Sequence, residues 1–379
     1  MKKTYFSVPV KNINVLFRRF FFLLFTLFFC INSLCLFIAI VSPFINPKYF
    51  WLPALFGLFF KIFFLANCIF IIGYFLYRSK RGIVACLLAF TISIPSLAAN
   101  FGFHFREDKY EQNDALRLMT YNCTSFGWFK NPDYEGVVSN IRNANPDILC
   151  LQEYYKHTKK HKKLLQFLSN EMGFKYYYEY TTRVLKSKNQ VGQAYFSKIP
   201  LHNFSPIVFS NNTSNGASYV DIYLKNDTVR LINVHFQSIR LHEKEYDITN
   251  LKPLEPSEGG KSNQLIISLE KIRNAFRRRS YQTMQVDSVI KNSPYKVIVC
   301  GDFNDTPNSY LYKTLTNSLD DSYLKTNFGI GSSFAGKIPG LRIDYILTDP
   351  DIKVAKTFVW RHVGGQHYPL VSDILLDNK

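Results

Sequence analysis

The sequence predicts a mixed α/β sandwich carried behind a helical membrane region, and three observations predict it. Apolar and aromatic residues crowd the first hundred positions, where runs reach the roughly 20 residues needed to cross a bilayer. From about Glu111 the chain changes to short runs of period-two alternation rich in β-branched residues, as in LRLMTYN, DILCLQE, QAYFSK, SYVDIYL, VRLINVHF, KVIVCGDFN and RIDYILT. Several of these runs are joined by links too short for a helical crossover, which favours mixed sheets over a doubly wound parallel sheet. The 379 residues therefore divide into a membrane region, 1–105, and a soluble domain, 111–379.

In the membrane region the first span runs over about 20–41, FFFLLFTLFFCINSLCLFIAIV, with Asn32 its main polar interruption. Its length and the lack of a small-residue cleavage site distinguish it from a removable signal peptide. The second span, about 55–77, contains Lys61, which lies near one end and can snorkel to the surface. The third, about 83–103, is interrupted by Pro95 and is the weakest of the three. Lys2, Lys3, Lys11, Arg18 and Arg19 precede the first span and Arg78, Lys80 and Arg81 follow the second, whereas the loop between these spans offers only Lys48. The positive-inside rule then places the N-terminus in the cytoplasm. After three crossings the soluble domain is extracytoplasmic, on the periplasmic side of an inner membrane in a Gram-negative cell. No span carries an ionisable cluster suggesting transport, so the region reads as an anchor.

Charge and cysteine usage narrow the classes further. Lys and Arg total 46 against 28 Asp and Glu, a net +18, of which residues up to Glu111 and the remainder carry +9 each. A polyanionic partner suits both parts. Collagen-like, coiled-coil and intrinsically disordered chains are excluded by the Gly and Pro content, the apolar content and the absence of sustained heptads. The seven Cys show no metal-ligand spacing; Cys123, Cys150 and Cys300 sit in or beside apolar runs as small core residues.

Within the soluble domain, helices are expected over Tyr134 to Ala144, Lys159 to Asn170 and Leu265 to Ile290. The polar, aperiodic stretch from Arg240 to about Lys261 reads as a long loop or lid. Arg277, Arg278 and Arg279 read as a solvated helix face. Chemistry-bearing residues stand where apolar strands end: Asn122, Glu153, His235, Asp302 and Asn304, with Asp344 inside RIDYIL and His367 before the final strand, PLVSDIL. Strands of one sheet ending in polar groups on the same edge bring them to one site, with Asp302 and Asn304 two apart on one face. Hard carboxylate and amide oxygens suit Mg²⁺, and nothing in the spacing suits zinc.

The motifs TYN, LQE, VHF, GDFND, RIDYIL and HYPL, in this order over about Leu116 to Leu376, resemble the endonuclease/exonuclease/phosphatase superfamily, which includes deoxyribonuclease I. The resemblance implies a four-layered α/β sandwich, helices flanking two packed sheets, and metal-dependent hydrolysis of a phosphate ester with Mg²⁺, or Mn²⁺, as cofactor. It implies Glu153 and Asn122 as metal ligands and His235 as a phosphate contact. Asp302 would orient or deprotonate the attacking water, Asn304 would hold a phosphate oxygen, and His367 would stand next to the scissile group with its tautomer fixed by Asp344. One position departs from the family pattern, since Gly365-Gln366-His367 stands where Ser-Asp-His is usual and a neutral amide replaces a carboxylate near the metal. The expected activity is that of a membrane-anchored phosphodiesterase, acting on nucleic acid or on a lipid or its headgroup. The competing reading, a catalytically silent polyanion-binding module of the same fold, rests on Gln366.

Overall fold

Alternation along the strands sorts the soluble part into four layers. The structure, a computed structural model, describes residues 10–105, 115–124, 134–156, 161–185, 188–209, 215–224, 227–239, 261–336, 340–361 and 365–375. The long loop expected over 240–261 lies outside these residues except for its end. The apolar N-terminal region contains α1 (Val10–Val41), α2 (Leu52–Leu58), α3 (Phe60–Leu76) and α4 (Lys80–Asn100), followed by the short strand β1 (Gly102–Phe103). The soluble part continues with β2 (Ala115–Asn122), α5 (Tyr134–Ala144), β3 (Ile148–Lys156), α6 (His161–Gln166), β4 (Tyr176–Val184), β5 (Gln190–Ser197), β6 (His202–Ile207), β7 (Gly216–Leu224) and β8 (Asp227–His235). Then come α7 (Lys261–Lys291), β9 (Lys296–Asp302), α8 (Tyr310–Leu315), β10 (Asp320–Asp321), α9 (Ser322–Thr326), β11 (Phe328–Gly329), β12 (Asp344–Thr348), β13 (Val354–Val359) and β14 (Leu370–Leu375).

Two six-stranded sheets form, in the orders β13-β14-β2-β3-β5-β4 and β10-β12-β9-β8-β7-β6. Each is antiparallel apart from one pair, β2 with β3 and β8 with β9. These are the two places where a helix, α5 or α7, supplies the crossover a parallel pair needs. Leu118, Ile148 and Cys150 of one sheet meet Leu231, Ile298, Cys300 and Ile346 of the other in the inter-sheet core. Their sequence neighbours point the opposite way, as a period of two requires. Met119, Leu149 and Leu151 pack under Val137 and Ile141 of α5 and Leu164 of α6, while Ile232, Val299 and Leu347 pack under Val286 and Ile290 of α7 and Leu311 of α8. The result is helix, sheet, sheet, helix, the four-layered sandwich. All seven cysteines are free, and Cys123, Cys150 and Cys300 are buried.

The apolar N-terminal helices differ from expectation in which one is interrupted. Val15–Phe44 and Lys80–Asn100 are each long and apolar enough to cross a bilayer, and α4 runs unbroken through Pro95. Proline is tolerated in such helices because neighbouring groups satisfy the freed backbone. The second segment is instead bent by 64° between α2 and α3, and makes a third span only if the pair counts as one. The bend follows Gly57, which lies against Ser42 and the carbonyl of Asn308 so closely that a Cβ there would meet them at 2.2 and 2.4 Å. A contact with the sandwich thus stands just before a break that hydropathy does not register.

Arg279 also departs from the solvated face expected for 277–279. Arg277 and Arg278 are exposed, but Arg279 is buried, paired with Asp305 at 2.9 Å and donating to the Gln237 carbonyl at 2.7 Å. The helix period accounts for this, because Arg279 shares its face with Val286 and not with its two neighbours.

Candidate active site

Strands β2, β8 and β9 end at one edge of the sandwich and β12 begins there. Register aligns His235 with Asp302 and Asp302 with Asp344. Residues Leu118, Thr120 and Asn122 share one face of β2, and Ile298, Cys300 and Asp302 share one face of β9, so period two brings both polar termini to the gap between the sheets. The Asn122 amide crosses that gap and donates to Asp302 Oδ2 at 2.9 Å.

Two residues reach the edge through left-handed backbone instead of strand alternation. Glu153 has φ of 50°, and the pairing of β3 with β5 slips between Leu151 and Tyr154. This places its carboxylate 3.9 Å from His235 Nε2, which is itself 3.6 Å from Asp302 Oδ2. Asn304, φ 52°, lies beyond the end of β9 and does not share a strand face with Asp302. Its backbone N–H donates to Asp302 Oδ1 at 2.8 Å, a local Asx-type turn, and its side-chain amide donates to Asp302 Oδ2 at 2.9 Å and to the Phe236 carbonyl at 3.0 Å. Both amide protons are thus engaged within the protein. In this geometry Asn304 holds Asp302 in place.

His367 Nδ1 lies 3.0 and 3.1 Å from the two oxygens of Asp344. A carboxylate only accepts, so the imidazole donates through Nδ1–H and presents Nε2 to Asp302 Oδ2 at 3.8 Å. Burial disfavours the imidazolium, but the carboxylates of Asp344 and Asp302 outweigh it and hold the His367 pKa up at about 9. The Asp302 pKa is raised, chiefly by burial and also by the Asp344 charge, against the opposing pull of His367, His235 and the Asn122 hydrogen bond. Asp344 is fixed in turn by Ser333, whose Oγ accepts from the backbone N–H of Ile343 at 3.1 Å and of Asp344 at 3.0 Å.

Beneath these groups lies a buried polar floor that sequence reasoning missed. Gln152 donates to Asn233 Oδ1 at 2.7 Å and to Thr120 Oγ1 at 3.0 Å, while Asn233 donates to the Leu151 carbonyl at 3.1 Å. The signal was available, because Asn233 precedes His235 by two positions and Thr120 precedes Asn122 by two, each on the core-facing side of an apolar strand. These amide hydrogen bonds between the two sheets fix register beneath that edge.

Glu153, partly exposed beside His235, and Asn122, buried beside Asp302, offer hard oxygen donors of the kind that suits a divalent cation such as Mg²⁺. Asp302, Asp344 and His367 also place potential ligand atoms within 4.8 Å of one another. Since Asp344 directs both its oxygens at His367, that trio reads as a hydrogen-bonded relay and the Glu153 side as the place for a cation. Gln366 is exposed and its backbone carbonyl accepts from Ala335 N–H at 2.8 Å. Pre-aligned carboxylate, imidazole and amide groups around one gap are equipped to orient a water and to stabilise charge on a phosphoryl group.

The sequence model of the Endonuclease/Exonuclease/phosphatase family matches residues 119–373, and that of a domain of unknown function (DUF8431) matches residues 18–100. A probable CCR4-Not complex 3'-5'-exoribonuclease subunit Ccr4 of Vairimorpha ceranae (strain BRL01) is 27% identical over 233 residues, 56% of this chain and 46% of that protein. The chain thus spans about half the length of the curated relative it matches. Among solved structures, the catalytic domain of human Nocturnin with bound sulfate is 17% identical with a TM-score of 0.48, covering 69% of this chain and 93% of that one. An endonuclease/exonuclease/phosphatase family protein from Leptotrichia buccalis C-1013-b is 14% identical with a TM-score of 0.49, covering 69% and 100%.

Proposed function

Because the chain belongs to the endonuclease/exonuclease/phosphatase family, we propose that it is a membrane-anchored, Mg²⁺-dependent hydrolase of a phosphodiester. The observation that carries this reading is the convergence of Asn122, Glu153, His235, Asp302, Asp344 and His367 on one edge, joined by hydrogen bonds and close approaches across both sheets. Asp302, held by Asn122 and Asn304, orients the attacking water and takes up its proton. The imidazolium of His367, kept in one tautomer by Asp344, directs Nε2–H at the phosphoryl group and donates a proton to the departing oxygen. His235 adds a contact to a phosphoryl oxygen. Glu153 and Asn122 would hold the metal, which when bound neutralises phosphoryl charge and acidifies water.

The full chain in detergent is expected to hydrolyse bis(p-nitrophenyl) phosphate with Mg²⁺ or Mn²⁺, to stop when the metal is chelated, and to recover when it is restored. No turnover with either ion would overturn the enzyme reading in favour of a silent polyanion-binding module.

The side of the membrane belongs to the same proposal. Lys80 starts α4 on the side where α3 ends, while the C-terminal ends of α1 and α4 and the N-terminal end of α3 touch the soluble domain. Combined with the positive-inside rule, this supports a catalytic domain outside the cytoplasm. Protease added to intact cells, after permeabilising an outer membrane where one exists, should digest the region after residue 111. Protection until the inner membrane is lysed would reverse the assignment.

A further inference from the structure

We propose that this site takes its phosphoester from the bilayer itself: the substrate class is a membrane lipid carrying a phosphodiester headgroup, not a nucleic acid arriving from solution. The inference rests on the phosphoesterase reading above and names the substrate of that same site.

The first support is where the catalytic edge sits. The segment leaving Asp302 and the segment entering Asp344 are both tied to the ends of membrane helices. Asn308, buried, donates from its amide to the Ala39 carbonyl of α1 at 2.9 Å and accepts from the Asn100 amide, the last residue of α4, at 3.1 Å; its backbone carbonyl accepts from Ser42 Oγ at 3.1 Å. Arg342, two residues before Asp344, donates to the Ala99 carbonyl at 2.7 Å and pairs on its other side with Asp321. Lys61, at the start of α3, donates to the Gly340 carbonyl at 2.5 Å. Three helix termini therefore meet the catalytic edge, and the ends of apolar spans mark the boundary between hydrocarbon and headgroups. Two residues of chain cover at most about 7 Å, so the backbone of Asp344 lies within that distance of the backbone of Arg342, whose guanidinium reaches α4. This position suits a lipid phosphate, which occupies the headgroup layer.

The second support is an aromatic ledge between α4 and the imidazole. On leaving α4 the chain forms β1, which pairs with β11. Phe328 packs against Phe101 at 4.9 Å and stacks on Phe105 at 4.2 Å between ring centroids. Phe103, Phe105, Phe328 and Ile330 nevertheless stay exposed, Phe105 at 80%. The chain then runs on to Phe334, which bridges to His367 and stands edge-on to its ring at 5.4 Å. Phe44, Tyr49 and Phe50, in the connection between α1 and α2, are exposed as well. Aromatic residues at the ends of spans belong to the membrane interface, and this ledge is continuous with the end of α4. The occupant that fits it is the upper acyl region of a lipid whose headgroup lies at the site. In the reaction a water oxygen bonds to phosphorus, one P–O ester bond breaks, and the departing alkoxide receives a proton, giving a phosphomonoester and an alcohol.

The test uses the full chain with Mg²⁺, reconstituted in vesicles of phosphatidylglycerol and phosphatidylethanolamine. Three comparisons run in parallel: the same lipids with dihexanoyl chains in free solution, supercoiled plasmid, and bis(p-nitrophenyl) phosphate. The long-chain lipid is expected to be cleaved at least about tenfold faster than its soluble analogue, the gain that co-localisation supplies. Phe105→Ser, and the harsher Phe105→Asp with Phe328→Asp, should lower the ratio of lipid to bis(p-nitrophenyl) phosphate turnover by at least about fivefold, through loss of interfacial contact. Hydrolysis of plasmid and bis(p-nitrophenyl) phosphate without lipid cleavage overturns this inference and leaves the phosphoesterase reading standing. Failure to hydrolyse any of them overturns both.

Discussion

Replacing Asp302 with Ala or Asn is expected to lower kcat on the order of 10⁴-fold while the chain stays folded, the scale seen when a group that acts on the nucleophile is removed. Asp302 is almost fully buried and accepts from the Asn122 amide and from both the backbone and side chain of Asn304. No other described carboxylate is held in that position, so nothing replaces it when it is gone. Asn is the informative variant, because it keeps the volume and most of the packing while removing the charge. Glu153→Gln should give a loss of similar scale with a different signature, a higher metal concentration for half-maximal rate. Gln is preferred to Ala there because it keeps the length and packing of the side chain on the same left-handed backbone and removes only the charge. Kinetics over a Mg²⁺ titration, with far-ultraviolet circular dichroism as the control for folding, decide the matter. Near-normal turnover in either variant would overturn the site assignment.

What the sequence made legible follows from which contacts are local. The strand-terminal positions of Asn122, His235 and Asp302 obey a period of two, and that period alone delivers them to the inter-sheet gap. Helix α5 could be read to its residues because its apolar spacing is undisturbed. Glu153 and Asn304 are different, since each sits in left-handed backbone and reaches the site by leaving the strand pattern. The family motif marked them; periodicity could not have placed them. Arg279 was read with its neighbours in a charge run, although the rotation of about 100° per residue turns it to a different face of the helix. The attachment of this edge to the apolar N-terminal helices was least visible of all. The Asn308 contact with Ala39 joins residues 269 apart, and an isolated buried Asn in a loop after GDFND carries no local sign of a helix end beneath it.

Asp344→Asn is expected to cost about 10² to 10⁴ in kcat, the range for general acid–base groups, and to move the alkaline limb of the rate profile to lower pH. Burial alone would depress the His367 pKa, and the Asp344 carboxylate is the largest influence raising it to about 9. An amide in its place contributes no charge, so burial regains ground and the imidazolium is lost at lower pH. Its nitrogen could also face Nδ1 and donate to it, which selects the tautomer with the proton on Nε2 and leaves no imidazolium to protonate the departing oxygen. The sign for stability runs the same way. A histidine whose folded pKa lies above its ordinary value of about 6.5 contributes stability that is complete below that value and is lost as pH rises through the folded pKa. For the native chain the loss falls between about 6.5 and about 9, and in Asp344→Asn that window narrows from its upper end. A bound divalent cation repels the imidazolium in both proteins, so the two profiles must be recorded at the same saturating Mg²⁺ concentration and compared by the displacement between them. Coincident alkaline limbs would show that Asp344 does not govern the protonation of His367, and the relay would have to be given up.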